Sequence, residues 1–409
     1  MPAREFDLIL WGASGFTGRL VAEHLARVGP SRKLRWAAGG RNAEKLAAVL
    51  AEIGAPEVPV VLADSHDPAS LAAMVKRTRA VCSTVGPYAL YGSELVAACA
   101  AAGTHYCDLC GEVHWMRHMI DAHEARAAKT GARLVHSCGF DSIPSDLGTL
   151  FLQQRAIERY GSPCGSVKLF VRRMKGSFSG GTVASMLNAL QTARDDPGER
   201  RVMGHPYALN PAGEQQGPGG RDQARPMKDP DAESWTAPFV MAAVNTRIVR
   251  RSHALMGWPW GRRFRYSEST LTGPGAAGLA RAAALTAALG AFMAAASLRP
   301  TRALMQRLLL PDPGEGPDEA AREAGGFEMQ LIGRHPQAPR RRLEARVTGK
   351  RDPGYGATAR MLGEAAMCLA LEEARLPVGG GSWTPATAFG ELLNERLGEH
   401  ADISFSLKD

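Results

Sequence analysis

The stretch FDLILWGASGFTGRLVAEHL, residues 6–25, decides the fold of the chain. Its apolar run at residues 8–11 suits a buried strand, and Leu20, Val21 and Leu25 recur at helical intervals after it. The stretch therefore predicts a strand, a turn and a helix, in that order.

Three glycines at three-residue spacing, Gly12, Gly15 and Gly18, fill the predicted turn. Gly12 permits a tight turn, Gly15 lets the backbone approach a pyrophosphate, and Gly18 lets the helix pack closely on the strand. The helix then points main-chain N–H groups and the positive end of its dipole at the anion. Glycine turns between strands and helices are common, but the strand, the helix and the continuing pattern agree, so we predict a nucleotide phosphate site.

Composition restricts the class of protein. A chain of 409 residues allows two or three domains, and the net charge of +8 is modest for that length. No run of five or six basic residues occurs, so we expect no nucleic-acid partner. Seven cysteines lie in apolar surroundings and no signal sequence opens the chain, which predicts reduced thiols and a cytoplasmic protein, with membrane association left open.

Residues 1–150 alternate short apolar runs with helical stretches, as a parallel sheet covered on both faces requires. The candidate strands are residues 6–11, 34–39, 58–63, 80–85, 104–108 and 132–137. Six strands with helical connections are typical of a doubly wound domain. The expected fold is therefore α/β, with a Rossmann-type parallel sheet in residues 1–150.

After Pro144 this alternation stops. Residues 196–235 are rich in proline, glycine and charge, which favours a long mobile loop or lid. Alternating faces predict further strands at residues 166–174, 239–251, 262–270, 327–335 and 341–351. We expect a second α+β domain over residues 151–378 with a mainly antiparallel sheet, and a C-terminal helix in residues 379–409 that packs back on the first domain.

One alanine-rich segment, residues 279–298, stands apart from the rest of the second domain. Three interpretations remain open: a helix packed inside the domain, a helix that contacts a membrane surface or walls an acyl pocket, and a transmembrane span. The uncharged part, residues 282–298, falls short of the ~20 residues that a span needs, so the span is the weakest of the three.

The end of the second strand indicates which dinucleotide binds. NAD-binding domains usually carry an acid there, some ~20 residues after the glycine turn, to bind the ribose hydroxyls. This chain has Gly39, Gly40 and Arg41 instead, and a guanidinium can hold a 2′-phosphate bidentately. The sequence therefore favours NADP(H), the alternative being a solvated arginine at the start of a helix.

Two further strand ends supply candidate cofactor contacts. Asp64 closes the third strand, where a side chain can reach the adenine edge; alternatively Ser65 or Asp67 simply caps the next helix. The fourth strand ends at the ligand-binding edge of the sheet in a turn that consists of Thr84, Val85, Gly86 and Pro87.

A metal site is not expected. Cys107 and Cys110 form a C-x-x-C pair at a strand end, but no second pair follows at zinc-ribbon spacing. His114 and His118 share a helical face, yet the glutamate of the metalloprotease motif is missing after the first histidine.

Taken in order and spacing, WGASGFTGRLVAEHL, AAGGRN, STVGPY, HYCDLCGE and GFDSIPSDLG resemble the saccharopine dehydrogenase-like oxidoreductases. Within that group the chain is more similar to the trans-acting enoyl reductase branch, which reduces double bonds in polyketide-derived lipids. The resemblance implies a Rossmann domain that binds NADP(H), with a second domain closing over it. It places cofactor binding on Gly12, Ser14, Gly15, Phe16, Thr17, Gly18, Arg41 and the turn from Thr84 to Pro87.

We therefore expect NADP(H)-dependent reduction of a C=C or carbonyl group in a lipid-like or acyl substrate. Tyr88, Asp141 and His136 are the candidates for the proton donor or for steadying an enolate oxygen, ranked by their position at the carboxyl edge of the sheet. Tyr88 and Asp141 have structural alternatives, covering a core edge and stabilising a turn.

Two alternatives in function stay open. A saccharopine-type amino-acid dehydrogenase predicts arginines beside the nicotinamide, whereas a lipid reductase predicts an apolar channel. A non-catalytic nucleotide- and lipid-binding protein predicts cofactor binding without oxidation. Contact with a membrane through residues 279–298 and a homodimer are the partner alternatives.

Overall fold

The computed structural model describes residues 4–176, 180–297, 301, 316–338 and 340–408. The strands are β1 Phe6–Trp11, β2 Trp36–Gly40, β3 Val60–Leu62, β4 Thr78–Ser83, β5 His105–Asp108, β6 Arg133–Val135, β7 Ser166–Lys175, β8 Met227–Asp229, β9 Ser234–Ala237, β10 Arg265–Gly273, β11 Gly326–Arg334, β12 Arg342–Lys350, β13 Gly381–Trp383 and β14 Ile403–Lys408.

The α-helices of the described residues are α1 Phe16–Val28, α2 Ala43–Glu52, α3 Pro68–Val75, α4 Tyr88–Tyr91, α5 Ser93–Ala102, α6 Val113–Thr130, α7 Ile143–Tyr160, α8 Gly180–Asp195, α9 Pro197–Gly204, α10 Ala242–Leu255, α11 Gly275–Ser297, α12 Glu319–Glu323, α13 Thr358–Leu371, α14 Pro385–Phe389 and α15 Glu391–His400. A π-helical turn, Pro353–Ala357, leads directly into α13.

The first sheet is parallel throughout and has the strand order β13-β6-β5-β4-β1-β2-β3. The interior position of β1 explains the apolar run at residues 6–11. Leu8 and Leu10 belong to the hydrophobic cluster on one face, and Ile9 and Trp11 belong to the cluster on the other. The predicted doubly wound sheet is confirmed, and all six predicted strands lie within two residues of observed ones.

The second sheet has the order β14-β12-β11-β7-β10-β9-β8 and is antiparallel except between β7 and β10. The predicted second, mainly antiparallel sheet is therefore confirmed. The strand predicted at residues 239–251 is wrong, because most of that stretch forms α10. Val244, Thr246 and Ile248 alternate as in a strand, but Val244 and Ile248 are also one helical turn apart and fit a buried helix equally well.

The proline-rich stretch 196–235 is less free than the predicted lid. It begins with α9, and buried arginines hold the residues that follow. Arg117 of α6 and Arg251 of α10 donate hydrogen bonds to the main-chain carbonyls of Ala208, Leu209 and Asn210. Charge-assisted bonds of this kind are stronger than neutral ones, so this part of the stretch is anchored to two helices.

The C-terminal part of the chain contributes to both sheets. β13 adds a seventh strand to the first sheet beside β6, and β14 pairs with β12 in the second. α13 packs on α1 and on strands of the first sheet, although the sequence assigned it to the second domain. The division into residues 1–150, 151–378 and 379–409 stays a prediction.

α11 forms most of the alanine-rich segment and is largely exposed. Its buried residues are Gly278, Ala282 and Ala296, which face β9, β10 and α8. Among the described residues, α11 is the one helix that is long and apolar enough to cross a bilayer by length and composition. Only 11% of its apolar window is buried. The interpretation as a helix packed inside the domain is therefore wrong for most of its length; Leu298 lies outside the described residues.

Candidate active site

The glycine turn adopts a conformation that larger residues could not. Gly12 has φ +89°, and a Cβ there would lie 2.6 Å from Val85 Cγ2 and 2.8 Å from Thr84 Oγ1. A Cβ on Gly18 would lie 2.0 Å from the Gly12 carbonyl oxygen, so the helix can approach the strand only without a side chain. These two glycines are thus required for the shape of the turn.

The N-terminus of α1 is open to an anion. Gly15 precedes the helix in an extended conformation, no side chain caps the first turn, and that turn holds no acid. The first N–H groups of a helix have no partner within it, so those of Phe16, Thr17 and Gly18 face the turn unpaired by the helix. Among the described residues, a Cβ on Gly15 would meet only the Gly12 oxygen, at 3.4 Å, so these residues leave room for a pyrophosphate in front of the helix.

Two other residues of the turn have supporting positions. Ser14 is half-buried between Gly12 and the helix. The Phe16 ring packs edge-on against Tyr355, with 4.7 Å between ring centroids. The phosphate cradle is therefore built from main-chain groups, and the Phe16 side chain joins it to the segment before α13.

Arg41 follows β2 directly and its side chain is exposed. The neighbouring Asn42 caps α2 by accepting a hydrogen bond of 2.9 Å from the Lys45 N–H. Within the described part of the chain, Arg41 makes no ion pair or side-chain hydrogen bond. Because Asn42 performs the capping, the guanidinium of Arg41 remains available for a phosphate.

Two aspartates follow β3, and they form different hydrogen bonds. Asp67 caps α3 through a 3.0 Å bond from the Ala69 N–H. The Asp64 carboxylate accepts a 2.9 Å bond from the His66 N–H and is half-buried. Helix capping thus belongs to Asp67, and a role for Asp64 at the adenine stays a prediction.

The turn after β4 lies against the glycine turn. Thr84 Oγ1 is 3.2 Å from the carbonyl oxygens of Trp11 and Gly12, to which it can donate. The peptide bond between Gly86 and Pro87 is cis. Thr84 and Gly86 line a cavity together with Thr17, so the structure brings this turn and the start of α1 to one space, and their contact with the cofactor stays a prediction.

A cavity of about 400 Å³ lies beyond the carboxyl edge of the first sheet, between it and helices of the second part of the chain. Most of its wall is apolar, with Met186 of α8, Val244 of α10 and Phe292 of α11 as examples. Among the described residues that line it, no lysine, arginine or histidine occurs. The hydroxyl and carboxyl side chains on the wall belong to Thr17, Thr84, Tyr88, Glu112, Asp141, Thr182 and Ser185.

The candidate proton donor Asp141 has a carboxyl group that can still form a hydrogen bond. It lies on the cavity wall, and its Oδ2 is buried without a hydrogen-bond partner among the described residues. Burial raises the pKa of this carboxyl to about 7 against a lowering by its own main-chain N–H, and the nearby Asp108 charge is a smaller cause of the rise. Asp141 can therefore hold a proton near neutral pH.

Tyr88 also lies on the cavity wall, but its hydroxyl is engaged. It donates to the Ser83 carbonyl at 3.0 Å and accepts from the Leu109 N–H at 3.3 Å, so it braces the ends of β4 and β5. Burial raises the Tyr88 pKa well above its usual value, which disfavours the phenolate further. This geometry fits the structural alternative for Tyr88 better than proton transfer.

The structure does not bring His136 to the cavity. Its Nδ1 shares a 2.7 Å hydrogen bond with Asp108 Oδ2, and the rings of Tyr106 and Trp115 pack edge-on against it. His136 is absent from the described lining of the cavity, so it can act on a substrate only through other groups.

Sequence reasoning missed the partnership of Glu112 with Ser185. The buried Glu112 carboxylate accepts hydrogen bonds from the N–H groups of Tyr88 at 2.7 Å and Ala89 at 3.1 Å, and from Ser185 Oγ at 2.8 Å. Burial raises the Glu112 pKa. An acid after β5 at the ligand edge was a visible signal, but nothing in the sequence pairs it with a serine on α8.

The cysteines and His114 noted in the sequence lie in the interior, whereas His118 is exposed. All seven cysteines are buried free thiols, and burial raises the pKa of Cys107 and Cys110. His118 lies 3.0 Å from a Glu199 oxygen. Among the described residues, no group of three or more possible ligands is arranged for a metal ion.

Comparisons with known proteins show the family of the chain. Residues 8–135 match the family model described as saccharopine dehydrogenase NADP binding domain. The chain is 41% identical to the trans-acting enoyl reductase of Mycobacterium tuberculosis and 39% identical to that of Mycobacterium ulcerans, in both cases over 96% of each chain. A further M. tuberculosis protein, provisionally given the same name, is 44% identical over 96% of both chains.

A solved structure shows a similar fold. Apo saccharopine dehydrogenase (L-Glu forming) from Saccharomyces cerevisiae superimposes with a TM-score of 0.57 over 98% of this chain and 99% of its own, at 12% identity. At that identity the likeness concerns the fold alone.

Proposed function

The chain belongs to the saccharopine dehydrogenase-like family, and we propose that this NADP(H)-dependent oxidoreductase reduces the C=C bond of an α,β-unsaturated acyl substrate with Asp141 as proton donor. The family model supplies the cofactor, and the named relatives supply the reaction class. The assignment of residues below is our proposal.

The cofactor is held by main-chain groups and one cation. The N–H groups at the start of α1, in Phe16, Thr17 and Gly18, receive the pyrophosphate across Gly12, Ser14 and Gly15. Arg41 binds the 2′-phosphate. The turn from Thr84 to Pro87 supports the nicotinamide end beside the cavity, and Asp64 lies near the adenine end.

The proposed mechanism depends on Asp141 as the proton donor. When bound, NADPH supplies a hydride. A double bond that gains a hydride at one carbon must gain a proton at the other, and the Asp141 carboxyl gives up its proton and becomes a carboxylate. Its pKa of about 7 makes the protonated form abundant near neutral pH without making the proton too tightly held.

The cavity wall favours an acyl substrate over an amino acid. A saccharopine-type substrate carries several carboxylates, and burying them without cationic partners is costly. No described residue on the wall is cationic, whereas apolar side chains cover most of it. An acyl chain meets that surface without an unpaired charge.

The second half of α11 forms part of the acyl pocket. Leu289, Phe292 and Met293 line the cavity, while the exposed positions carry alanines such as Ala283 together with the leucines Leu279 and Leu285. The contact of three large apolar side chains with the cavity supports the role as a pocket wall. Membrane contact through residues 279–298 stays a prediction that co-sedimentation with lipid vesicles tests.

The test follows NADPH oxidation with an enoyl and a β-keto acyl thioester of equal chain length. We expect turnover of the enoyl thioester, with kcat falling as the pH rises through about 7, where Asp141 loses its proton. Asp141→Asn should lower kcat by about a hundredfold or more and leave NADPH affinity unchanged. Turnover of the keto substrate alone would refute enoyl reduction.

Asp146→Asn provides a matched control for Asp141→Asn. Asp146 is also buried with its pKa raised to about 7 by burial, but its oxygens accept bonds from Ser252 and the Ala386 N–H. We expect it to retain kcat when measured below its unfolding temperature. Full activity of Asp141→Asn would assign proton donation to another group.

A further inference from the structure

A second, smaller cavity adjoins the large one at Asp141. Its volume is about 40 Å³, and it shares Leu109, Asp141, Thr182 and Met241 with the large cavity. The remaining residues on its wall are Phe140, Met174, Gly176, Pro353, Gly354 and Thr358. Asp141 therefore lies on the walls of two adjoining spaces that differ in size and composition.

The unpartnered oxygen of Asp141 lies beside Thr358, which lines only the small cavity. A Cβ placed on Gly139 would be 2.7 Å from Asp141 Oδ2 and 3.0 Å from Thr358 Cγ2, so both atoms border the same point. The orphaned acceptor is thus close to the small cavity.

The small cavity has the size and polar partners that water requires. A water molecule needs about 10–15 Å³ of such space and two to four polar partners. Thr358 Oγ1 accepts from the Phe140 N–H at 3.0 Å and donates to the Pro353 carbonyl at 2.7 Å. One lone pair of that hydroxyl remains, in addition to Asp141 Oδ2.

Asp141 also needs a proton source that the large cavity does not offer. An acyl substrate or product fills that cavity, and its wall is mainly apolar. Met174 lies on the wall of the small cavity and its side chain is 39% exposed, so this wall borders the surface at a residue that does not line the large cavity.

We propose that the small cavity holds water molecules that return a proton from solvent to the Asp141 carboxylate after each turnover. The step is a protonation: the carboxylate accepts a proton from hydrogen-bonded water, which is itself replenished from solvent. This inference rests on the proposed role of Asp141 as the donor.

The first test blocks the outer end of the small cavity with Met174→Trp. At a pH below 7 Asp141 is mostly protonated in the resting enzyme, so the rate of a single turnover measured there should stay unchanged. Steady-state kcat at saturating substrate should fall by about tenfold, and more at higher pH, because each later cycle waits for a proton. Met227→Trp, at an exposed methionine of β8, is the control and should change neither rate.

Other results would overturn the proposal. Equal losses in single-turnover and steady-state rates would mean that Met174→Trp distorts the site, and no loss in either would mean that protons arrive elsewhere. If Asp141→Asn is slow while Met174→Trp is unaffected, only the water route fails. If Asp141→Asn is fully active, the proposed donor itself fails.

A second measurement does not depend on the variant folding. A high-resolution crystal structure of the wild-type protein with NADP⁺ should show ordered water within hydrogen-bond distance of Asp141 Oδ2 in the small cavity. A dry small cavity would overturn the inference whatever the kinetics show.

Discussion

The hydroxyl of Ser185 on α8 donates a 2.8 Å hydrogen bond to the Glu112 carboxylate, in the loop between β5 and α6. The same carboxylate accepts the N–H groups of Tyr88 and Ala89 just after the cis peptide. One buried acid therefore joins the nucleotide-binding sheet to a helix that walls the cavity.

Replacing Glu112 should loosen this junction. Glu112→Gln turns one acceptor oxygen into an N–H₂ group that faces other donors, so at least one buried donor loses its partner. We expect the free energy of unfolding to fall by about 2 kcal/mol and KM for the acyl substrate to rise. Urea unfolding and initial rates measure the two effects.

Ser185→Ala is the milder variant of the same pair. It removes one donor and leaves Glu112 with two main-chain N–H partners, so we expect a loss of about 1 kcal/mol. A double-mutant cycle should show a coupling energy of at least ~0.5 kcal/mol between the two positions. Simple additivity would contradict the junction.

In the glycine turn, Gly18 is needed for the shape of the backbone and Gly15 for the approach of the pyrophosphate. Two alanine variants should distinguish these roles. Gly15→Ala has only the Gly12 oxygen nearby among the residues that the structure describes, at 3.4 Å, so the fold should tolerate it while the new methyl group obstructs the pyrophosphate. Gly18→Ala would place Cβ 2.0 Å from that oxygen and should unfold at lower temperature. Thermal unfolding and NADPH titration together distinguish the two; loss of stability in Gly15→Ala with normal NADPH affinity would reverse the assignment.

Glu268 predicts a specific dependence of stability on pH. It accepts bonds from Tyr266 Oη at 2.7 Å and Asn245 Nδ2 at 2.9 Å, yet burial raises its pKa to about 7. Because the folded pKa lies above the unfolded one, its stabilising contribution is complete below the unfolded pKa and is lost as pH rises through about 7.

Glu268→Gln cannot ionise and should remove that loss. Between about pH 5 and pH 8 its free energy of unfolding should fall by about 2 kcal/mol less than that of the wild type. The Asn245 amide can turn to pair with the new side chain, because its partner Ser142 can donate or accept. Glu57→Gln, at an exposed glutamate, should leave the pH dependence unchanged, and equal slopes for both variants would contradict the prediction.

Local pattern was enough to predict six of the seven strands of the first sheet, because each of the six is a short apolar run between a glycine or polar turn and a helix. It failed for α10, where apolar side chains and arginines such as Arg251 are both buried and no polar face remains to reveal the period. It also missed β13, since three residues between glycine and threonine carry almost no strand signal.

The features of the candidate site also fall into those that the sequence predicts and those that it misses. The cradle at Gly12 and the position of Asp141 follow from strand ends, which sequence locates well. The junction of Glu112 with Ser185 and the small cavity at Thr358 depend on segments far apart in the chain, which only packing brings together. From the sequence alone, Tyr88 and His136 are candidates for catalysis alongside Asp141, because position at the sheet edge does not reveal which polar atoms already form hydrogen bonds.

Arg41 provides the sharpest test of cofactor choice, because its guanidinium is exposed at the end of β2 while Asn42 performs the capping. Arg41→Ala should raise the dissociation constant for NADPH about tenfold to a hundredfold, the range expected for lost charge-assisted bonds to a phosphate, and leave NADH binding unchanged. Lys45→Ala removes a cation of equal charge from the exposed face of the adjoining α2 and should affect neither nucleotide beyond a small, salt-sensitive change. Isothermal titration of both nucleotides against all three proteins measures this. If Lys45→Ala weakens NADPH as much as Arg41→Ala does, the preference arises from general positive charge at this edge and not from a specific phosphate contact.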